Sequence, residues 1–141
     1  MLFVLAGPSY VGKKTAMHHF IKLYSFSSII PYTTKPLGQR TGEVEGIKYH
    51  YVDPENKGII ENREFIHDCP FNYLDHPDSV IYAYKKTDIE RAINSYSNFI
   101  IHASVNNAIN IYEQYHEDNI GHLYIIFLNY SATLTKTFFE D

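Results

Sequence analysis

The segment from Leu2 to Thr15, LFVLAGPSYVGKKT, constrains the fold more than any other part of this chain. An apolar run enters a turn that contains Gly7 and Gly12, and Lys13 follows the second glycine. Glycine allows backbone N–H groups to approach a phosphate closely, and the N-terminus of a helix attracts negative charge. This order of strand, glycine turn, lysine and helix predicts a phosphate-binding loop. A tight turn with a solvated lysine is the alternative. The predicted loop residues are Gly7, Pro8, Ser9, Tyr10, Val11, Gly12, Lys13, Lys14 and Thr15.

One loop position departs from the usual pattern. Lys14 stands where a Ser or Thr hydroxyl ordinarily ligates Mg²⁺, and an ammonium group is not a metal ligand. Thr15, one residue later, is expected to contact a phosphate instead. The sequence therefore predicts Mg²⁺ only as the partner of ATP in an active protein, without a clear ligand from the chain.

The remaining pattern predicts an α/β fold. Strands alternate with helices at both ends of the chain, which implies a parallel sheet with helices on both faces. A glycine-rich middle interrupts this alternation and predicts an inserted, mostly antiparallel lobe. We expect one domain over residues 1–141, with a core of about 1–30 and 86–141 and an inserted lobe of about 31–85.

Five local expectations are more specific. Thr87 and Glu90 have the spacing of a helix capping box, and Gly121 suits the end of the next helix. Leu23 is expected on the buried face of the first helix, and Ser131 is expected to cap a final helix. The run HLYIIFLN is predicted to be a buried strand.

Composition narrows the class of protein. The net charge of −4 over 141 residues argues against a nucleic-acid partner. The single cysteine, Cys69, excludes an internal disulfide and favours a reducing, cytoplasmic location. No apolar run has the length of a membrane span, and the first residues lack the basic region of a signal peptide. No membrane partner is expected.

Two segments together resemble the guanylate kinase family. GPSYVGKKT is similar to its phosphate loop, and YTTKPLGQRTGEVEGIKYHYV is similar to its second signature, which has Thr-Thr-Arg, Gly-Glu and a Tyr-x-Phe-Val strand. NREFIHDC and KKTDIERAI match later family segments more weakly. The resemblance covers nearly the whole chain, and it implies a P-loop nucleoside-monophosphate kinase fold.

The resemblance implies roles for individual residues. Lys13 becomes the catalytic lysine at the β/γ-phosphates. Lys35 and Arg40 fall where two family arginines hold the phosphate of the nucleoside monophosphate, and Tyr49 and Tyr82 match tyrosines that donate to it. Lys35 lacks the planar fork of an arginine, so a weaker grip on phosphate is expected. Strand packing is the alternative role for both tyrosines.

Other positions depart from the family pattern. Pro31 replaces a serine, His67 replaces a glutamate that reads guanine, and His102 and Ser104 replace two acids. A neutral histidine offers one acceptor where a carboxylate accepts two N–H bonds, so weakened selection of guanine is expected. Half-buried packing is the alternative for both histidines. The lid arginines of the family are also expected to be missing, because the chain ends at Asp141.

Two functions remain open from the sequence. The first is ATP-dependent phosphoryl transfer to GMP or another nucleoside monophosphate, with impaired activity because charge-supplying groups are substituted or absent. The second is a non-catalytic module of the same fold that binds a nucleotide, or a phosphorylated or acidic peptide. A phosphotransfer assay with ATP and GMP distinguishes them.

Overall fold

The computed structural model describes residues 1–8, 12–35, 46, 49–60, 62–68 and 81–129. In chain order its elements are β1 (Leu2–Ala6), α1 (Lys13–Tyr24), β2 (Ser27–Ser28), β3 (Tyr32–Thr33), β4 (His50–Tyr51), a 3₁₀ segment (Pro54–Ile59), β5 (Phe65–Asp68), β6 (Tyr82–Lys85), α2 (Lys86–Ile93), β7 (Phe99–Ala103), α3 (Val105–Tyr115) and β8 (Leu123–Phe127).

The core is a parallel four-stranded sheet in the order β2-β7-β1-β8. The central strand β1 is apolar throughout, which is typical of a strand buried on both faces. Leu2, Val4 and Ala6 face α2 and α3 and join the main core with residues such as Ile89 and Ile111. On the opposite face α1 packs on β1 and β7.

The second sheet has the order β4-β3-β6-β5 and is inserted between β2 and α2. β6 pairs antiparallel with both β3 and β5, whereas β3 and β4 run parallel. One face of this sheet is packed by a small hydrophobic cluster of Ile60, Phe65, Ile81 and Ala83. The predicted fold class, a parallel core sheet between helices with an inserted and mostly antiparallel lobe, is confirmed by these two sheets.

The capping box predicted at Thr87 is wrong. α2 begins at Lys86, and its N-cap, Lys85, makes no side-chain cap. The backbone N–H of Lys86 donates instead to the Glu64 carbonyl at 2.8 Å. β6 passes directly into α2, so the residue that precedes β5, Glu64, supplies this acceptor. Thr87 therefore lies inside the first helical turn.

The predicted end of α3 at Gly121 is also wrong. α3 ends at Tyr115, and Gly121 adopts a φ of 82° in the turn that precedes β8. Two burial predictions fail as well: Leu23 is 63% exposed, and β8 leaves Phe127 59% exposed. The helix predicted at Ser131 lies outside the described residues.

None of the helices in the described part of the chain is long and apolar enough to cross a membrane.

Candidate functional site

The predicted phosphate loop joins β1 to α1 at the carboxyl edge of the core sheet. Gly7 is buried directly after β1, and Gly12 is the N-cap of α1 with a φ of 95°, a conformation that side chains disfavour. α1 begins without a side-chain cap and without an acidic residue in its first turn. The first amides of this helix are therefore suited to an anionic ligand.

Lys13 ties the loop to the adjacent strand. Its ammonium Nζ donates to the Gly7 carbonyl at 2.7 Å and to the Ala103 carbonyl, at the end of β7, at 3.3 Å. Lys14 and Thr15 are exposed, and Pro8 is exposed beside the buried Gly7. Ser9, Tyr10 and Val11 lie outside the described residues. Among the described loop residues, Lys13 is thus the one whose side chain reaches the end of the adjacent strand β7.

A second group of side chains lies on the inserted sheet. The Tyr49 ring lies 5.6 Å from the Tyr82 ring and 5.9 Å from the Tyr51 ring. The Lys35 ammonium lies 5.9 Å from the centre of the Tyr49 ring, within cation–π distance. We call these four residues the tyrosine cluster. It unites three of the four residues predicted to hold a monophosphate, while Arg40 lies outside the described residues.

The strand that carries Tyr82 of the tyrosine cluster also carries Tyr84, which approaches the phosphate loop at the end of β7. Tyr82 and Tyr84 lie two residues apart on β6, so their side chains point to the same face of the sheet. The buried Tyr84 places its hydroxyl 3.4 Å from the His102 carbonyl. The next carbonyl along the chain, that of Ala103, accepts from Lys13. The face of the inserted sheet that carries Tyr82 and Tyr84, the tyrosine-rich face, is therefore directed toward the edge of the core sheet where the phosphate loop lies.

Two residues of this arrangement were missed by the sequence reasoning. Tyr51 joins the tyrosine cluster, and Tyr84 links the inserted sheet to β7. The available signal was the period-two alternation of Tyr49 with Tyr51 and of Tyr82 with Tyr84, which predicts paired side chains on one face.

The residues that were expected to replace family groups near the base make contacts elsewhere in the fold. His67 pairs in register with Ala83 while Asp68 pairs with Tyr82, so His67 points away from the tyrosine-rich face. Its ring hydrogen-bonds to the Ile60 carbonyl on the other side. The Pro31 carbonyl accepts from the His50 N–H at 2.9 Å in the sheet ladder.

His102, inside β7, and Ser104, directly after β7, also take part in hydrogen bonds within the fold. The Ser104 hydroxyl is the N-cap of α3 and accepts from the Asn107 N–H at 3.2 Å. His102 is half-buried, and its carbonyl receives the Tyr84 hydroxyl. Neither position presents a carboxylate to a nucleotide.

These positions do not fit a protein-held magnesium ion. Mg²⁺ requires oxygen ligands, and Lys14 and His102 supply none from their side chains while the Ser104 hydroxyl is occupied as a cap. Within the described ranges, no group of three His, Cys, Asp or Glu side chains could hold a metal ion.

A glycine turn that leads from a parallel strand into a helix, with a second sheet inserted after β2, defines an α/β protein of the P-loop class. Residues 1–132 match the family model described as guanylate kinase. The chain therefore belongs to the guanylate kinase family, and the resemblance of its two signatures is confirmed.

Individual relatives show how far the similarity extends. A guanylate kinase of Thermus thermophilus is 28% identical over 111 residues, which are 78% of this chain and 47% of that protein. A guanylate kinase of Clostridium perfringens is 28% identical over 119 residues, which are 81% of this chain and 50% of that protein. The chain thus spans about half the length of these relatives.

A solved structure supports the same fold. The crystal structure of guanylate kinase from Anaplasma phagocytophilum matches with a TM-score of 0.60 and 22% sequence identity. The match covers 90% of this chain and 58% of that chain.

Proposed function

We propose that this chain binds ATP at the phosphate loop and the phosphate of GMP, or of another nucleoside monophosphate, at the tyrosine cluster, and transfers a phosphoryl group slowly between them. The observation that supports the proposal is that Lys13 and Tyr84, which lies two residues from Tyr82 on β6, both reach carbonyl groups at the end of β7. Lys13 donates to the Ala103 carbonyl, and Tyr84 donates to the carbonyl of the preceding residue. A donor and an acceptor nucleotide would then share one cleft.

Lys13 is proposed to hold the phosphates of ATP. Its ammonium rests on the neutral carbonyl oxygens of Gly7 and Ala103. Charged phosphate oxygens are stronger acceptors than neutral carbonyls. A polyphosphate at the N-terminus of α1 would therefore draw Lys13 from these carbonyls and would lie at the positive end of the helix dipole at the same time.

The tyrosine cluster is proposed to hold the acceptor phosphate. The phenol hydroxyls of Tyr49 and Tyr82 would donate hydrogen bonds to this phosphate, and Lys35 would add a positive charge beside them. Selection of the base is proposed to be weak, because His67 points away from this face and Ser104 serves as a helix cap. GMP and AMP are expected to bind within tenfold of each other, which corresponds to about 1.4 kcal/mol.

Slow turnover is proposed from the missing charge donors. Removal of one positioned group that stabilises the transition state costs on the order of 10²–10³ in rate. By the family resemblance, Lys14 replaces a hydroxyl and His102 replaces an acid. No step is assigned to a metal ion, because these residues do not fit one. ATP is proposed to bring its own Mg²⁺ as the complex in solution.

The deciding experiment is a coupled phosphotransfer assay with the 141-residue chain, ATP, Mg²⁺ and GMP. We expect a rate far below the roughly 1–100 s⁻¹ of typical kinases, which Lys13→Ala abolishes and Lys22→Ala, on the exposed end of α1, preserves. Several turnovers per second would contradict the impaired enzyme. Nucleotide binding without any turnover would favour the second candidate.

That second candidate is a nucleotide-binding module without turnover. The observation that favours it is the use of Ser104 and His67 in structural hydrogen bonds rather than in the cleft. Competition between GMP and a phosphoserine peptide for the tyrosine cluster would test whether its phosphate ligand belongs to a nucleotide or to a peptide.

A further inference from the structure

Two consecutive threonines are buried at the end of β3. Thr33 is 0% exposed and Thr34 is 6% exposed, although both side chains carry a hydroxyl group. A buried hydroxyl destabilises a fold unless it makes a hydrogen bond. Both hydroxyls make one, because they accept from the backbone N–H groups of Lys35 and Ile81.

The Thr34 hydroxyl completes the pairing of β3 with β6. The ladder pairs Thr33 with Tyr82, so Thr34 and Ile81 are the next residues in register. The Thr34 N–H donates to the Ile81 carbonyl at 3.1 Å. In a regular antiparallel pair the Thr34 carbonyl would accept from Ile81 in return, but here the Ile81 N–H donates to Thr34 Oγ1 at 2.9 Å. The side chain thus replaces a main-chain acceptor, and the backbone leaves the strand at Thr34 while the Ile81 N–H stays paired.

The Thr33 hydroxyl holds the backbone of Lys35. Thr33 Oγ1 accepts from the Lys35 N–H at 3.1 Å, while the Thr33 carbonyl accepts from the Val52 N–H at 2.8 Å, directly after β4. A threonine hydroxyl that accepts from the N–H two residues later bends the chain locally. Thr33 therefore sets the direction of the backbone at Lys35.

Thr33 also lies beside two members of the tyrosine cluster. It pairs in register with Tyr51 of β4 and with Tyr82 of β6, so the three side chains share one face of the inserted sheet. The Lys35 ammonium lies 5.9 Å from the centre of the Tyr49 ring. One threonine hydroxyl thus fixes the backbone of the cation in this cluster, and the other fixes the residue that directly precedes Tyr82.

We propose that Thr33 and Thr34 are positioning residues for the acceptor phosphate, which hold the Lys35 ammonium and the Tyr82 hydroxyl in place for the same phosphate group. The inference rests on the proposed function, because that function supplies the ligand. Both hydroxyls act through the backbone, since they are buried and accept from main-chain N–H groups. A misplacement of about 1 Å can cost about 10²-fold in rate, so loss of either hydrogen bond is expected to weaken the site.

The test compares variants of matched shape. Thr34→Val and, separately, Thr33→Val keep the size of the side chain and remove the acceptor, whereas Thr34→Ser keeps the acceptor. Thr87→Val, at an exposed position in α2, is the matched control. Isothermal titration measures the affinities for GMP and for ATP. NMR measures the resonance of the Lys35 ε-methylene, which the ring current of Tyr49 displaces and which Lys35→Arg assigns.

We expect each valine variant to weaken GMP binding by about tenfold, because a hydrogen bond to the charged phosphate is misplaced, and to leave ATP binding unchanged. The Lys35 resonance should move toward its position in the unfolded chain. Thr34→Ser should retain both properties, and Thr87→Val should alter neither. Thermal denaturation shows which variants are folded. Because the two hydroxyls make separate hydrogen bonds, either valine variant tests the proposal if the other does not fold.

An unchanged Lys35 resonance and an unchanged GMP affinity in the valine variants would overturn the proposal. Equal losses of ATP and GMP affinity would overturn it too, because they indicate general disruption of the fold. If the unaltered chain binds no GMP, the proposed function fails, and the Lys35 resonance alone then decides whether the two threonines position this cation.

Discussion

The phosphate loop and the tyrosine cluster, both proposed to bind phosphate, are built in different ways. The loop depends on backbone geometry, with Gly12 at a φ of 95° as the N-cap of a twelve-residue α1 that begins without a side-chain cap. The tyrosine cluster depends on side chains: Tyr51 and Tyr82 lie on the short strands β4 and β6, Tyr49 directly precedes β4, and Lys35 lies two residues after β3. A site made from backbone amides tolerates a change such as Lys14, whereas a site made from side chains changes its selectivity with each substitution.

The largest effect is expected when Lys13, the lysine of the phosphate loop, is replaced. Lys13→Ala should weaken ATP binding by at least tenfold and reduce phosphotransfer by about 10²–10³, because a positioned charge donor is lost. Isothermal titration with ATP measures the first effect and a coupled assay the second. Lys22→Ala should leave both unchanged. ATP binding that survives Lys13→Ala would show that the backbone amides alone suffice.

A second prediction addresses the side-chain site. Tyr82→Phe should weaken GMP binding by about 10- to 100-fold, because a hydrogen bond to a charged group contributes about 1.5–3 kcal/mol. ATP binding should not change. Tyr96→Phe, at a fully exposed position, is the control. If Tyr82→Phe weakens the binding of ATP and of GMP equally, the two sites are not separate in the way proposed.

Ser104 separates a structural role from a base-reading role. Ser104→Ala should lower the free energy of unfolding by about 1 kcal/mol, because α3 loses its N-cap. The ratio of GMP to AMP affinity should stay the same. Chemical denaturation measures the stability, and nucleotide titration measures the ratio. A shift of that ratio toward AMP would assign Ser104 to guanine recognition.

The smallest expected effect lies outside both sites. Burial, followed by the neighbouring Glu90 carboxylate, raises the pKa of Tyr115 to about 12. Tyr115 donates to Glu90 at 3.1 Å. Because the folded pKa exceeds the unfolded value near 10, this contribution is complete below pH 10 and is lost as the pH rises toward 12.

The melting temperature of the chain should therefore exceed that of Tyr115→Phe at pH 8, and the difference should narrow above pH 10. Thermal denaturation of both proteins across this range provides the measurement. A difference that is constant up to pH 11 would mean that the contact between Tyr115 and Glu90 does not contribute through ionisation.

The sequence by itself determined the elements with strong local signals. The start of α1 after Gly12 follows from a glycine turn between an apolar run and a helical pattern. The parallel core sheet follows from the alternation of apolar strands and helices. Lys35 and Tyr49 were predicted from the resemblance of the second signature to the family, and Tyr82 was predicted from a separate match to a family tyrosine. The tyrosine cluster brings these three residues together.

The tertiary structure decided what depends on neighbours distant in sequence. Thr87 has the chemistry of a cap, but the Glu64 carbonyl already accepts from the helix start and β6 runs straight into α2. β8 has the composition of a buried strand, but in the described part of the chain it is the last strand of the core sheet and Phe127 is exposed. Local sequence records the preference of a residue, whereas its partners and burial depend on the elements that pack around it.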